Sequence, residues 1–339
     1  MIMREIGSEF WEIPLGRKRN TLFPLSTQWF VSGRSALRTI IKELKPSGSV
    51  ALPSWCCESM IKPFVDAGFE INFYSYMSNR AYAKDIISAC DAVLIMDYFG
   101  YTNNEEFDLS FFKGTVIRDV THSVFSNTYT DADYYFGSMR KWCGFWTGGY
   151  AWADDNHTLF AGQVSAESQK YISLREKAMS IKKKYLVSQA SDLKQCFLTL
   201  FADAENILDH IDIAPAAERD VLAANLIDVD FIMTKRRANA KILRDAFKDC
   251  IIFSVMKEND CPMFVPIRVQ GGKQAELQRF LIQKGIFCPI HWPISAYHCF
   301  REQERSIYDN ELSLVCDQRY DLEDMNRIIK TIQLFMEEK

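Results

Sequence analysis

No apolar run in this 339-residue chain approaches the roughly 20 residues needed to cross a bilayer. The chain holds ten cysteines but no CxxC pair, and only Cys56 and Cys57 are adjacent. Structural zinc therefore lacks its usual ligand spacing, and no metal is expected. Cysteines scattered among apolar segments, such as Cys90, Cys143, Cys196, Cys250, Cys288 and Cys316, suit free thiols in a reducing compartment better than a disulfide scaffold. There is also no excess of positive charge. The 40 Lys and Arg stand against 44 Asp and Glu, a net charge of -4, so nucleic acid and anionic membranes are not expected partners. The opening MIMREIGSEFWEIPLG has neither a compact apolar core nor a small-residue cleavage site, and a cytoplasmic protein is expected. Repeats, low-complexity tracts and flexible linkers are absent too.

What is present is enough apolar residue, 48% of the chain, for a large core and about two domains. Val50–Pro53, Ile71–Tyr76, Ala92–Tyr98 and Val116–Val120 are strand-like, rich in Val, Ile, Phe and Tyr. Helix-like pieces alternate with them. Ala36, Leu37, Ile40, Ile41 and Leu44 fall on one face, and Met60, Ile61, Phe64 and Val65 repeat the pattern before Gly68. Such alternation predicts an α/β domain with a parallel sheet, whose ligands gather at the carboxyl ends of the strands. From about Val164 to Asp245 the chain is strongly helical, and Phe231–Phe247 predicts a long helix. A strand over Met263–Val269, a helix over Lys273–Lys284, a strand over Gly285–Ile290 and a helix over Leu322–Met336 then suggest a small α+β unit.

Three elements carry chemistry. Ser32-Gly33-Arg34-Ser35 precedes an amphipathic helix, and free N–H groups at a helix start suit a phosphate, although a plain cap by Ser32 or Ser35 is the simpler alternative. Asp119 ends an apolar strand, where a carboxylate needs a partner or caps the next turn. Lys141 follows Ser138 amid Phe136, Trp142, Phe145 and Trp146, just before the glycine-rich stretch Gly144–Gly149. Burial there would favour the neutral amine that forms an imine; an ordinary loop lysine is the alternative. A phosphate turn, a strand-end Asp and a lysine 22 residues after it (141 − 119) is the order of parts in fold type I enzymes that use pyridoxal 5'-phosphate (PLP).

The chain resembles the DegT-type, or sugar-nucleotide, aminotransferase family as a divergent member. The resemblance rests on Asp119-Val120-Thr121-His122, on Ser138, Lys141 and Gly148-Gly149, and on weaker flanking matches. Those are Val50–Ser54 with Ala67-Gly68-Phe69, Asp97–Gly100, Arg236-Arg237, and Leu312-Ser313-Leu314 with Gln318-Arg319-Tyr320. It implies a fold type I PLP-dependent transferase. A large, mainly parallel-sheet PLP domain with helices on both faces and an N-terminal arm would span 1–235, and a small α+β domain 236–339.

By the same resemblance Lys141 carries the cofactor as a Schiff base and acts as the base of transamination. Asp119 pairs with the ring nitrogen, His122 lies by the 3-hydroxyl or ring face, and Gly33, Arg34 and Ser138 hold the phosphate beside Ser32 and Ser35. Either Trp55 or Cys57 packs on the ring, with Trp55 favoured. The resemblance further implies a homodimer with its active site at the interface, an amino-acid donor such as L-glutamate, and a keto-sugar acceptor, typically nucleotide-linked. A lyase, racemase or decarboxylase on the same fold, or a PLP-binding protein without turnover, remain alternatives, because fold does not fix reaction.

Overall fold

The structure is a computed structural model that describes residues 4–75, 80–102, 108–126, 131–154, 158–299 and 302–337. Its centre is a seven-stranded sheet of order β2-β8-β7-β6-β5-β3-β4. The strands are β2 (Gln28–Phe30), β3 (Ser49–Pro53), β4 (Glu70–Tyr74), β5 (Ala92–Met96), β6 (Thr115–Asp119), β7 (Tyr134–Ser138) and β8 (Gly149–Ala153). A two-residue strand, β1 (Ile6–Gly7), precedes them in the arm. Strands β3 to β7 pair in parallel, while β8 runs antiparallel to both β7 and β2. Six strands therefore share one direction and β8 alone is reversed.

Both faces of the sheet are covered. Along β5 all five residues are buried, and Ala92, Leu94 and Met96 enter one core while Val93 and Ile95 enter another. A continuous apolar run is what a strand needs when both faces are packed. Helices α1 (Gly33–Glu43), α2 (Glu58–Asp66) and α3 (Arg80–Ser88) connect the early strands. The Ile71–Tyr76 strand is seen as β4 up to Tyr74, and Tyr76 itself lies outside the described residues.

The helical stretch resolves into α4 (Ala166–Ser188), α5 (Ser191–Leu208), α6 (Glu218–Leu226) and α7 (Val229–Ala246). Helices α4 and α5 form a hairpin, closed where Gln189 takes a left-handed conformation at φ 56°. Helix α7 starts on Asp228, whose carboxylate accepts from the Phe231 N–H at 3.0 Å. The expected division at 235/236 falls inside this uninterrupted helix, so the chain leaves the sheet region along α7 rather than through a loop.

Beyond α7, β9 (Phe264–Arg268) pairs antiparallel with β11 (Glu311–Val315). Helix α8 (Gln274–Gln283), the short β10 (Ile286–Phe287) and α10 (Leu322–Glu337) complete a separate apolar core containing Val265, Leu281, Leu314 and Ile328, while α9 (Glu302–Asn310) packs Ile307 and Tyr308 into the core of the large sheet. The strand expected over Gly285–Ile290 is only two residues long. Pro289 has no N–H to extend a ladder, although its carbonyl accepts from Ser313. β1 pairs in parallel with β10, so the amino-terminal arm is part of this smaller unit. Arg319 donates to the carbonyls of Ser8 and Glu9, and Lys182 of α4 donates to Ser8 Oγ at 2.7 Å, fixing the arm against both parts. Among the described residues no helix is long and apolar enough to cross a membrane.

Gly149 sets the approach of α1 to the sheet. A Cβ built there would lie 2.0 Å from the Ser32 carbonyl oxygen and 2.8 Å from the Gly33 nitrogen. Both neighbours are backbone and cannot rotate away. Gly149→Ala is expected to lower stability by about 1–3 kcal/mol through overpacking, read as a reduced thermal midpoint. An unchanged midpoint would mean that the α1 start moves freely.

Candidate active site

Because β2, β6 and β7 share a direction, the start of α1, Asp119 and the Ser138–Lys141 segment meet at one sheet edge. β2 leads into Ser32 and α1, Asp119 ends β6, and Ser138 ends β7. A tight turn, Met139–Lys141, then turns the lysine back over the edge. The result is a cavity of about 210 Å³ whose lining includes Gly33, Arg34, Cys57, Asp119, Ser138 and Lys141. Opposite it lies a larger cavity of about 500 Å³, framed by the amino-terminal arm and the smaller unit. Lys141 and Arg140 line both.

Asp119 is buried and accepts from the Thr121 N–H at 2.8 Å. Burial pushes its carboxyl up from the usual range, against the opposing pull of the Lys141 charge and the Thr121 hydrogen bonds. A cationic ring nitrogen would supply the counter-charge this carboxylate needs to stay ionised. His122 is fully buried; desolvation, then the charges of Lys141 and His291, hold it well below the usual histidine range and neutral. Its Nδ1 accepts from the Phe99 N–H at 3.2 Å, which puts the single ring hydrogen on Nε2. Nε2 lies 3.4 Å from Lys141 Nζ, so the imidazole faces the lysine with its N–H.

The phosphate candidates divide. The Ser32 hydroxyl caps α1 by accepting from the Ser35 N–H at 3.1 Å. The Ser35 hydroxyl donates to the Asp212 carbonyl at 2.7 Å, and Ser35 does not line the cavity. The Ser138 hydroxyl lines it and, among the described residues, forms no hydrogen bond. The N–H groups of Gly33 and Arg34 lie in the first helical turn, which has no intrahelical acceptors. Arg34 is ion-paired with Asp209 and Glu205 of α5.

Trp55 lies elsewhere. Its ring is 1% exposed, stacks on Tyr98 at 4.9 Å, and donates to the His291 carbonyl at 2.8 Å. Core packing and that hydrogen bond hold it away from the cavity, which Cys57 lines in its place.

Several lining groups carried no signal in the sequence. Glu205 lies in a helical stretch where a surface carboxylate would look the same. Arg140 stood out only as bulky. His291 lines the larger cavity and is oriented from behind: Ser313 Oγ donates to the fully buried Glu311 carboxylate at 2.5 Å and contacts His291 Nδ1 at 2.9 Å. With the hydroxyl hydrogen spent on Glu311, His291 Nδ1 is the donor to Ser313 Oγ. Only the fold brings residues 291, 311 and 313 to Lys141.

An amine, a buried carboxylate, a free hydroxyl and a helix start around one small cavity form a donor set that fits PLP. The fold is that of fold type I PLP-dependent transferases. The chain resembles a DegT/DnrJ/EryC1/StrS aminotransferase of Brucella abortus at 16% identity, covering 91% of this chain and 85% of that one, TM-score 0.62. It also resembles PseC of Helicobacter pylori, an aminotransferase involved in pseudoaminic acid biosynthesis, at 14% identity with 98% and 100% covered, TM-score 0.64. A third likeness is to NtdA of Bacillus subtilis with bound cofactor PMP, at 13% identity with 90% and 72% covered, TM-score 0.60. No curated protein matches the chain by sequence.

Residues 217–333 match the DegT/DnrJ/EryC1/StrS aminotransferase family model, and the solved structures share the fold of this chain.

A histidine kept neutral by burial makes the fold sensitive to acid. The unfolded chain binds a proton near the usual value of 6.5 while folded His122 does not, so stability falls as pH drops below that value. The thermal midpoint is expected to decrease from about pH 7.5 to about pH 5.5, and His122→Asn should narrow the gap. A gap of equal size in the variant would place the proton uptake elsewhere, His298 being the other histidine that burial lowers among the described residues.

Proposed function

We propose that this chain transfers an amino group from an amino acid, L-glutamate, to a nucleotide-linked keto-sugar in polysaccharide or natural-product assembly, with Lys141 as the point of PLP attachment. The observation that carries this reading is the meeting of Lys141, neutral His122 and buried Asp119 at one sheet edge. PLP, when bound, supplies an electron sink for the carbon that gains or loses the amino group.

The protein's own groups have separable tasks. Asp119 would hold the ring nitrogen of the cofactor. His122 directs Nε2–H towards Lys141. Ser138 and the α1 start would hold the phosphate, and Cys57, which lines the cavity, would lie by the ring. Lys141 would attach the cofactor and serve as the general base of the site. The larger cavity, lined by His291, receives the substrate. A second copy of the chain completes the site by the resemblance to dimeric relatives.

Purified protein mixed with PLP should show the visible absorbance band of lysine-bound cofactor, and L-glutamate should shift it to the near ultraviolet with release of a keto acid. A band that no amino donor moves would leave PLP in place but assign another reaction. Lys141→Ala should abolish the band while its thermal midpoint stays near that of the unmodified chain. A persisting band in that variant would overturn the assignment of Lys141.

A further inference from the structure

We propose that Glu205 is a built-in counter-ion of the phosphate seat, held between Arg34 and Arg140, and that a cofactor phosphate binds by displacing its carboxylate from these two guanidinium groups. The inference rests on reading the smaller cavity as the PLP site. It adds a competing group, and a cationic one, that neither the fold nor the family segment assigns.

The geometry is specific. Glu205 Oε1 accepts from Arg140 Nη1 at 2.7 Å, and Oε2 lies 3.6 Å from Arg34 Nη2. All three side chains line the cavity that also contains Gly33 and Ser138. Around this core, Asp209 one turn further along α5 takes the other side of Arg34, Tyr171 accepts from Arg140 at 2.6 Å, and Arg175 stands 4.0 Å behind Glu205. Burial works against the Glu205 carboxylate, but Arg140 above all, with Arg175 and Arg34, holds its carboxyl below the usual range.

Charge at the start of α1 explains why an anion belongs there. The first turn has no acidic residue and instead carries Arg34, so the positive end of the helix dipole and a guanidinium coincide. Glu205 and Asp209 neutralise that charge in the structure as it stands. A phosphate brings the same acceptor-only oxygens to the same donors, and it gains the N–H groups of the first turn as well. Two anions cannot both occupy the gap between Arg34 and Arg140 without repulsion. Glu205 is the one able to leave, because its side chain is 44% exposed and a partly exposed ion pair is weak.

The prediction is counter-intuitive: removing an ionised residue from the cavity should strengthen cofactor binding. PLP titrations of the apo-protein, followed by tryptophan fluorescence, compare the unmodified chain with Glu205→Gln and Arg140→Gln. Inorganic phosphate serves as a second probe, read as the concentration needed to raise the thermal midpoint. Glu205→Gln is expected to bind both about tenfold more tightly, and Arg140→Gln more weakly. Glu205→Asp keeps the charge but retracts it, and should shift both affinities in the same direction by less. Equal or weaker binding of PLP and phosphate by both Glu205 variants, with unchanged ligand-free midpoints, would overturn the proposal and leave Glu205 as an anchor for the arginines. If the visible band forms but the Glu205 variants bind alike, the inference fails and the PLP reading stands. If phosphate affinity rises as expected but no variant forms the band, the displacement stands and the role of Lys141 fails.

Discussion

A carboxylate buried at the end of a parallel strand is the constraint around which the site is arranged. Asp119 cannot remain charged in that position without compensation, and the fold supplies it partially: a Thr121 N–H on one side and Lys141 on the other. Everything else at the edge follows from keeping those two groups near each other but available. His122 is fixed in one tautomer by a backbone N–H, and the Trp142 indole behind it donates to the Thr121 carbonyl at 2.6 Å, tying the lysine turn to the Asp119 turn. Gln318 then holds the Trp142 carbonyl at 2.8 Å, which links the smaller unit to the same construction.

The parallel sheet was legible because buried parallel strands leave continuous apolar runs, and the amphipathic α1 and α2 leave periodic ones; the order of its strands was not. Asp119, His122, Ser138 and Lys141 were legible because their types and order are unusual at strand ends. Short elements were not: β1 and β2 are two and three residues long, below the length at which a pattern exists. The packing of Trp55 on Tyr98 was not legible, because one aromatic residue in a strand-end turn looks the same whether it packs on a ligand or on a core ring. His291, Ser313 and Glu311 meet through β11 and the segment after β10, and no local pattern announces a pairing between such distant positions.

The arginine-rich side of the cavity distinguishes this chain physically. Arg34 and Arg140 add cations to a helix start that already attracts anions, and the α4–α5 hairpin supplies the acids that balance them. Anion affinity at this site is thus set by a hairpin remote in sequence from the helix it serves. Sequence changes in α5 can alter cofactor retention without touching any group that contacts the reacting carbon.

The pairing of β1 with β10 has a further consequence for how the molecule is divided. Ile6 and Gly7 belong spatially to the unit built from the last hundred residues, and residues 7 to 10 wall the larger cavity. Neither unit is therefore a contiguous piece of chain. A cut within α7 would leave the smaller core without its edge partner, so the two halves are inseparable as independent fragments, and whatever loosens residues 7 to 10 opens the larger cavity at the same time.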